Sequence, residues 1–255
     1  MLSESQVIDI FKALADPNRL TLFRLLLASD LTNSELMDKT GLRQNLLSHH
    51  LNILVESGLV RVQRSIGDAR RHYFSVDLAQ AQRFAVWWER HGSCAPDRDR
   101  VLPVLRRPRR VLFLCQRNSA RSLMAEALAR CLAREALIPF SAGIEEPVDA
   151  LPAVVARVLA EHGVSTAGLA AKTLGELAGQ SFDLVITVCD IVHEGEGVGI
   201  PLLHGVPQVH WSLDDPLEAD TPSEQDRMAR ELLAELRLRL ACLLRRFAAE
   251  EAAET

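Results

Sequence analysis

Residues 111–122 read Val111-Leu-Phe-Leu-Cys115-Gln-Arg-Asn-Ser-Ala-Arg121-Ser122. The apolar run Val111–Leu114 predicts a short buried strand, and the helical periodicity that starts at Ser122 predicts a helix directly after the loop. A short loop before a helix can direct several backbone N–H groups at one tetrahedral oxyanion, and the helix N-terminus adds partial positive charge. The stretch therefore predicts an oxyanion-binding loop within an α/β domain.

The loop residues have separate predicted roles. Arg121 can bind two oxygens of an oxyanion in a bidentate manner. The same positive field predicts that Cys115 is a thiolate near neutral pH and therefore a nucleophile. Ser122 can hydrogen-bond the sulfur, and Asn118 can hold the shape of the loop. The predicted oxyanion-binding residues are Gln116, Arg117, Asn118, Ser119, Ala120 and Ser122.

Strands and helices alternate on the C-terminal side of this loop. Residues 122–136, about 150–162 and about 223–250 have helical patterns, whereas Asp183–Cys189 has the pattern of a strand. Alternation of this kind predicts βαβ units and a parallel sheet. We expect an α/β domain over residues 109–250.

Over about residues 109–247 the chain resembles the low-molecular-weight tyrosine phosphatase superfamily. The resemblance rests on the loop itself, Ser141-Ala-Gly143, Asp183-Leu-Val-Ile-Thr187 and Asp214-Asp215-Pro216. It implies that Asp215, the aspartate before proline, is the general acid that protonates the leaving oxygen. Without the resemblance, Asp215-Pro216 reads as a plain turn.

The superfamily has two branches, phosphatases and arsenate reductases that use the same loop on arsenate. Cys189 lies where the reductase branch keeps a second catalytic cysteine, although a buried cysteine without a function is the alternative. His210–Pro216 also resembles the reductase acid loop, and Leu217-Glu218 stand where phosphatases usually carry aromatic residues. The third cysteine of thioredoxin-linked reductases is missing. The resemblance therefore implies no bound cofactor and an external thiol reductant, from a thioredoxin, glutathione or mycothiol system, or else an incomplete reductase cycle.

The first hundred residues follow a different pattern. Two short helices, 34–40 and 44–57, are separated by Gly41 and followed by alternating strands at 59–64 and 71–76. This order predicts a winged helix-turn-helix, mainly α with a β-hairpin, whose second helix enters the DNA major groove. The alternative is a small helical domain with a solvated basic hairpin. Candidate DNA contacts on the second helix and the hairpin are Arg43, Gln44, Asn45, Ser48, His49, His50, Arg64, Arg70 and Arg71.

The segment Leu42–Val60, with its Ser48-His-His-Leu51 step, resembles the recognition helix of the ArsR family of metalloregulatory repressors, and Ala13–Leu20 resembles the same family's first segment. The resemblance covers about residues 5–92 and implies a homodimer, paired through its terminal helices, that binds a palindromic operator. Arsenic-sensing members use clustered cysteines, whereas the only cysteine before residue 115 is Cys94 in the predicted linker 93–108. His49 and His50 are expected to face DNA or to be buried rather than to bind metal, so no metal site and no inducer is assigned.

Composition excludes several classes of protein. The net charge of −5 is unevenly distributed along the chain. Residues 1–100 contain 13 basic and 12 acidic residues, whereas residues 101–255 contain 16 basic and 22 acidic residues. Five widely spaced cysteines without a CxxC pair argue against a disulfide scaffold or a structural zinc site. The uncharged run Gly197–Leu213 contains prolines and histidines and cannot span a membrane. With no signal peptide at the N-terminus, the expected location is the cytoplasm.

Together these features predict two domains, residues 1–92 and 109–250. The predicted function is an arsenic-resistance-type transcriptional repressor fused to an arsenate reductase that uses Cys115, Arg121, Asp215 and Cys189. Its expected partners are operator DNA, arsenate or phosphate, and a redox thiol. The alternatives are a tyrosine phosphatase fused to a repressor, and a regulator that binds the oxyanion without turnover.

Overall fold

The computed structural model describes residues 2–91, 105–133, 135–146, 151–195 and 203–253. The chain divides into two compact units, one formed by residues before 102 and the other mainly by residues from 102 onward. Cys94 and most of the predicted linker lie outside the described residues. Among the residues that are described, none of the helices combines the length and the apolar character that a bilayer crossing requires.

The first unit contains five helices, and local sequence signals define their ends. Ser3 and Gln6 form a capping box at the first helix, and Asp16 caps the second, which starts with a proline. The third helix ends at Gly41, whose φ of 70° is the left-handed conformation that glycine adopts most easily. The helices are α1 (Glu4–Leu14), α2 (Pro17–Ala28), α3 (Asn33–Thr40), α4 (Gln44–Glu56) and α5 (Leu78–His91).

A small antiparallel sheet completes this unit. Its strands are β1 (Leu31–Thr32), β2 (Val60–Arg64) and β3 (His72–Val76), in the order β1-β3-β2. Leu47, Leu51 and Leu54 of α4 are at most 1% exposed and pack into the core of the unit. Two helices, α3 and α4, followed by a β-hairpin confirm the predicted winged helix-turn-helix.

The second unit is built on a parallel sheet. Its strands are β4 (Arg109–Cys115), β5 (Leu137–Gly143), β6 (Leu184–Thr187) and β7 (Gln208–His210), in the order β5-β4-β6-β7. The helices are α6 (Arg121–Ala133), α7 (Ala153–Glu161), α8 (Asp190–Glu194) and α9 (Pro222–Ala253). Short 3-10 turns cover Leu174–Leu177 and Pro216–Glu218. The predicted α/β fold with a parallel sheet is confirmed.

The strand order determines where the site forms. Val111–Leu114 of β4 are fully buried because β4 is an inner strand covered on both faces. Leu114 of β4 lies opposite Thr187 of β6, and the Val188 N–H donates to the Leu114 carbonyl at 2.8 Å. Cys115 and Cys189 therefore follow the carboxyl ends of two neighbouring parallel strands, the edge at which α/β sheets bind ligands.

Candidate oxyanion site and DNA-binding surface

The Cys115 loop connects β4 to α6. The sulfur of Cys115 is buried and receives a hydrogen bond from the backbone N–H of Asn118 at 3.0 Å. The hydroxyl of Ser122 lies 2.9 Å from the same sulfur. Three residues predicted to act together from their spacing, Cys115, Asn118 and Ser122, are thus in direct contact.

Asn118 fixes the curvature of the loop. Its φ of 50° is left-handed, a conformation that asparagine adopts more readily than most other residues. The side-chain amide donates to the Ser122 hydroxyl at 2.8 Å, and its carbonyl accepts from the backbone N–H of Lys172 at 2.8 Å. These two bonds anchor the loop to both the helix and the segment beneath it.

Gly143 allows the loop to pack against the end of β5. A Cβ atom at this position would lie 2.8 Å from the carbonyl oxygen of Gln116 and 3.0 Å from the nitrogen of Asn118. The neighbouring Ile144 N–H donates to the carbonyl of Cys115 at 3.2 Å. The sequence indicated Gly143 only as part of a motif. The structure shows that no larger residue fits here without displacing the loop.

Arg121 and Asp215 form a buried ion pair beside the loop. Nη2 of Arg121 lies 2.9 Å from Oδ2 of Asp215, and Nη1 donates to the Leu213 carbonyl at 3.2 Å. Nε of Arg121 is buried and has no hydrogen-bond partner among the described residues. Burial lowers the pKa of Arg121, but Asp215 and the other acidic groups around the guanidinium together outweigh it, so the net shift of the pKa is upward. The guanidinium therefore stays charged and keeps a donor available.

The protonation of Cys115 differs from the expectation. Burial raises the pKa of the Cys115 thiol above its usual value, more than the Ser122 hydroxyl, the charge of Arg121 and the Asn118 N–H together lower it. This direction runs against the thiolate that the sequence predicts near neutral pH. The main physical reason is burial of the sulfur, which disfavours the charged thiolate.

Cys189 lies close to the same site. It is buried, and its charge acts on both Cys115 and Arg121. Cys189 directly precedes α8, whose first residue, Asp190, lies 3.1 Å from Nε2 of the fully buried His210. The structure thus brings together all four predicted catalytic side chains, while Cys131 and Cys242 lie on α6 and α9.

A cavity of about 200 Å³ opens above the loop. Its lining residues are Gln116, Arg117, Ser119, Arg121, Asp215, Leu217 and Glu218. The side chains of Gln116 and Arg117 are both held by Glu145, at 2.6 and 3.2 Å. Their backbone N–H groups, rather than these side chains, are therefore the groups that fit an oxyanion in the loop.

Glu126 is a further residue of the site that the sequence reasoning did not single out. It is 1% exposed on α6, and its carboxylate contacts Arg130, Ser141 and the ammonium of Lys172. Lys172 in turn donates its backbone N–H to Asn118, so the buried Glu126 carboxylate and its charged partners support the loop. The signal in the sequence was an acidic residue on the apolar helix that follows the loop.

The DNA-binding candidates of the first unit form mainly an exposed set. Arg43, Gln44, Asn45 and His49 are exposed at the start and along one face of α4, and Ser48 is half-buried. Arg64, Arg70 and Arg71 are exposed on the β2–β3 hairpin. Exposed basic and amide side chains on a helix and a wing suit phosphate and base-edge contacts.

The placement of His50 corrects one of these predictions. His50 is 5% exposed, its Nε2 lies 3.3 Å from Nδ2 of Asn18, and its Nδ1 lies 3.8 Å from the Asp16 carboxylate. It faces α2 rather than solvent and so does not belong to the DNA-facing set. Position 50 lies on the core side of α4 with Leu47, Leu51 and Leu54. The sequence did not show which of the two adjacent histidines, His49 or His50, faces the core.

Comparison with known proteins gives two family matches. Residues 110–253 match the family model "Low molecular weight phosphotyrosine protein phosphatase", and residues 16–62 match "Bacterial regulatory protein, arsR family". A glutaredoxin arsenate reductase of Synechocystis is 30% identical over 110 residues, which are 42% of this chain and 79% of that protein. A probable mercury resistance operon repressor of Streptomyces lividans is 39% identical over 67 residues, 24% of this chain and 54% of that protein. The solved structure of an arsenate reductase in a phosphate-binding state aligns with a TM-score of 0.44 and 24% identity, covering 55% of this chain and 98% of that one.

Proposed function

The chain belongs to the low molecular weight phosphotyrosine protein phosphatase family over residues 110–253 and carries an arsR-family segment over residues 16–62, and we propose that it reduces arsenate to arsenite with two cysteines and represses transcription through its first unit. The observation that carries the enzymatic part is the pair of buried cysteines, Cys115 and Cys189, at the ends of neighbouring strands beside Arg121. A phosphatase needs only the first of these thiols.

In the first step, the loop N–H groups and Nε of Arg121 hold hydrogen arsenate above the sulfur of Cys115. The sulfur attacks arsenic, and the S–As bond forms as a hydroxyl group leaves arsenic. The proton of the thiol passes to this hydroxyl, which departs as water. Asp215 is the acid that delivers this proton, because its carboxylate reaches both Arg121 and the cavity. The product is a Cys115 thioester of arsenate, in which arsenic is still pentavalent.

In the second step, the sulfur of Cys189 attacks the sulfur of Cys115. The S–S bond forms, the S–As bond breaks, and its electron pair stays on arsenic, which leaves as trivalent arsenite. The proton of Cys189 goes to the departing oxyanion. A disulfide between Cys115 and Cys189 requires their Cα atoms to lie within about 7 Å. The pairing of Leu114 with Thr187 supports this proposal, because Cys115 directly follows the first and Cys189 lies two residues after the second.

An external thiol then reduces the disulfide and completes the cycle. The described part of α8 and the residues after it to Gly195 contain no third cysteine that could carry the disulfide to the surface. We therefore favour direct reduction by a small thiol or a redoxin. The Synechocystis relative is named a glutaredoxin arsenate reductase, which favours the glutathione and glutaredoxin system as the first donor to test.

Mass spectrometry after acid quenching tests the enzymatic proposal. Reduced protein mixed with arsenate is expected to yield arsenite and a Cys115–Cys189 disulfide in equal amounts. Cys115→Ser abolishes both products, and Cys189→Ser abolishes the internal disulfide, while Cys131→Ser, a change at an exposed cysteine of α6, retains both. Aryl phosphate hydrolysis that survives Cys189→Ser, in a protein that produces no arsenite, would establish the phosphatase instead.

The first unit supports the repressor role. Its exposed α4 face and basic hairpin carry the DNA-binding candidates, and Phe11 and Trp88 leave an aromatic surface on α1 and α5. We assign this aromatic surface to a second copy of the chain, because a homodimer would match the symmetry of a palindromic operator. Gel-shift titration with DNA from upstream of the gene tests it. Binding that is specific for this DNA is expected, and equal affinity for unrelated DNA would contradict a repressor.

A further inference from the structure

We propose that His210 is a positioning residue for Cys189, because its imidazole braces the segment that carries this thiol and thereby sets the effective concentration of the Cys189 sulfur at Cys115. The inference rests on the proposed two-cysteine reaction. It assigns a role to a residue that lies outside the Cys115 loop and is not one of the four proposed catalytic residues.

The imidazole joins the two residues that flank Val188 and Cys189. Thr187, the last residue of β6, pairs in register with His210, the last residue of β7. Nδ1 of His210 lies 2.9 Å from the Thr187 hydroxyl and 3.1 Å from the Thr187 carbonyl oxygen. Nε2 lies 3.1 Å from Oδ1 of Asp190, and it donates there because an ionised carboxylate only accepts. One ring therefore holds both ends of the short segment.

The pair of His210 and Asp190 is enclosed by protein. His210 is 0% exposed and Asp190 2% exposed. The ring of His193 stacks on His210, with centroids 4.2 Å apart and an angle of 5° between the planes. Burial raises the pKa of Asp190, but His210 and the other donors around the carboxylate outweigh burial and hold the pKa below its usual value. Asp190 thus stays ionised, and a buried hydrogen bond to a charged group holds its partners firmly.

Backbone hydrogen bonds hold the rest of the segment. The Val188 N–H donates to the carbonyl of Leu114, which directly precedes Cys115, at 2.8 Å. The His193 N–H donates to the Cys189 carbonyl at 3.2 Å. A disulfide forms only over a narrow range of Cβ separations and torsion angles. A thiol on a backbone that is already fixed loses less conformational entropy when it forms this bond.

The same contacts exclude a role for His210 as the base that takes the Cys189 proton. Nδ1 faces Thr187 and Nε2 faces Asp190, so both ring nitrogens have partners. The imidazole therefore acts through the position of Cys189 rather than on its sulfur.

Redox titration in glutathione buffers tests this role without arsenate. Oxidised glutathione converts the two thiols to one disulfide and releases two molecules of reduced glutathione. Alkylation followed by mass spectrometry measures the Cys115–Cys189 disulfide at each buffer ratio. His210→Asn keeps an amide near the Nδ1 position and loses the donor to Asp190. His210→Gln places an amide donor near the Nε2 position and loses only the contact with Thr187.

We expect His210→Asn to lower the equilibrium constant for this disulfide at least tenfold, which raises its reduction potential by about 30 mV or more. The value for His210→Gln should lie between those of His210→Asn and the wild type. His162→Asn, at an exposed histidine that follows α7, is the matched control and leaves the constant unchanged.

Phosphate titration and thermal unfolding of the same variants separate positioning from a general structural role. A lower disulfide constant with unchanged phosphate affinity supports the inference. Equal constants in the wild type and His210→Asn overturn it, and so does a parallel loss of phosphate affinity. If His210→Asn does not fold, a constant for His210→Gln equal to that of the wild type overturns it instead. If the wild type forms the disulfide with glutathione but no arsenite from arsenate, the proposed function fails, while the variants still decide the role of His210.

Discussion

At the scale of single residues, two positions with unusual backbone requirements shape the Cys115 loop. Asn118 adopts a left-handed conformation and makes hydrogen bonds with Ser122 and Lys172. Gly143 provides the surface on which the loop rests, since a side chain there would overlap the Gln116 carbonyl. The geometry of the nucleophile therefore depends on a residue 28 positions further along the chain than Cys115.

Gly143→Ala is expected to displace the loop and lower arsenate reduction at least tenfold. The added Cβ would lie 2.8 Å from the Gln116 oxygen, and backbone atoms cannot move away as a flexible side chain would. Steady-state kinetics and oxyanion titration measure the loss. Gly175→Ala is the matched control, because its Cβ would meet only Thr173 Oγ1 at 3.7 Å. Equal activities of the two variants would show that the loop tolerates displacement.

Two neighbouring histidines provide a second prediction at this scale. His50→Ala should lower the free energy of unfolding by about 1–3 kcal/mol, because it removes a buried ring and its contact with Asn18. His49→Ala, at an exposed position of α4, should leave stability unchanged and weaken operator binding. Thermal unfolding and gel-shift assays on both variants make the comparison. A loss of stability at His49 rather than at His50 would reverse the assignment.

At the scale of elements, the sheet order brings the chemistry together. The sequence predicted the strand, loop and helix around Cys115 because apolar runs and helical periodicity are local signals. Adjacency of β4 and β6 depends on long-range pairing, so the closeness of Cys189 to Cys115 followed only from a family resemblance. The sequence left His50 as either DNA-facing or buried for a related reason, since a polar residue on the core face of a helix has no distinctive local pattern.

Asp183 links the beginnings of β4 and β6. Its carboxylate accepts from the Arg110 N–H at 2.8 Å and from Arg107 at 3.0 Å. Burial raises the pKa of Asp183, but the Arg110 N–H and the Arg107 side chain outweigh it and hold the pKa below its usual value. A carboxyl whose pKa is lower in the folded state stabilises the fold above its unfolded pKa, and this contribution is lost as pH falls through the folded value.

Asp183→Asn should therefore lower the free energy of unfolding by about 1–3 kcal/mol at pH 7. The difference in unfolding free energy between the variant and the wild type should shrink as the pH falls below about 4. The wild-type aspartate then becomes protonated and, like the asparagine, carries no charge. Urea unfolding at a series of pH values measures it. Asp220→Asn, at an exposed aspartate of the same unit, is expected to have no effect. A difference that is independent of pH would exclude the ionised carboxylate as the cause.

At the scale of the whole molecule, the net charge of −5 describes neither unit. The basic hairpin belongs to the first unit, whereas the second unit surrounds its oxyanion loop with the carboxylates of Asp215, Glu218 and Glu145. The distribution of charge along the sequence could be read without a structure. The grouping of these carboxylates around one loop could not be read from the sequence, because Asp215 and Glu145 lie 70 positions apart in the chain.

The prediction for the whole molecule concerns its oligomeric state. Trp88 is 47% exposed and Phe11 42%, with ring centroids 5.7 Å apart, an aromatic surface too large to remain in water without cost. Trp88→Glu is expected to convert a dimer to a monomer and to weaken operator binding by at least tenfold. Light scattering measures the mass, and Ile138→Glu, an exposed position on β5 of the other unit, is the control. A Trp88→Glu protein that remains dimeric would place the interface elsewhere.

The ion pair between Arg121 and Asp215 makes the site a competition between two anions for one guanidinium. In the proposed reaction, an oxyanion held by Nε that also reaches Nη2 competes there with the Asp215 carboxylate, and a carboxylate released from Nη2 can carry the proton that the leaving oxygen needs. When the neutral or weakly charged arsenite forms, Asp215 is again the stronger ligand for Arg121. Under the proposed reaction, Asp215 would thus help to expel the product, and each turnover would return Arg121 to its original partner.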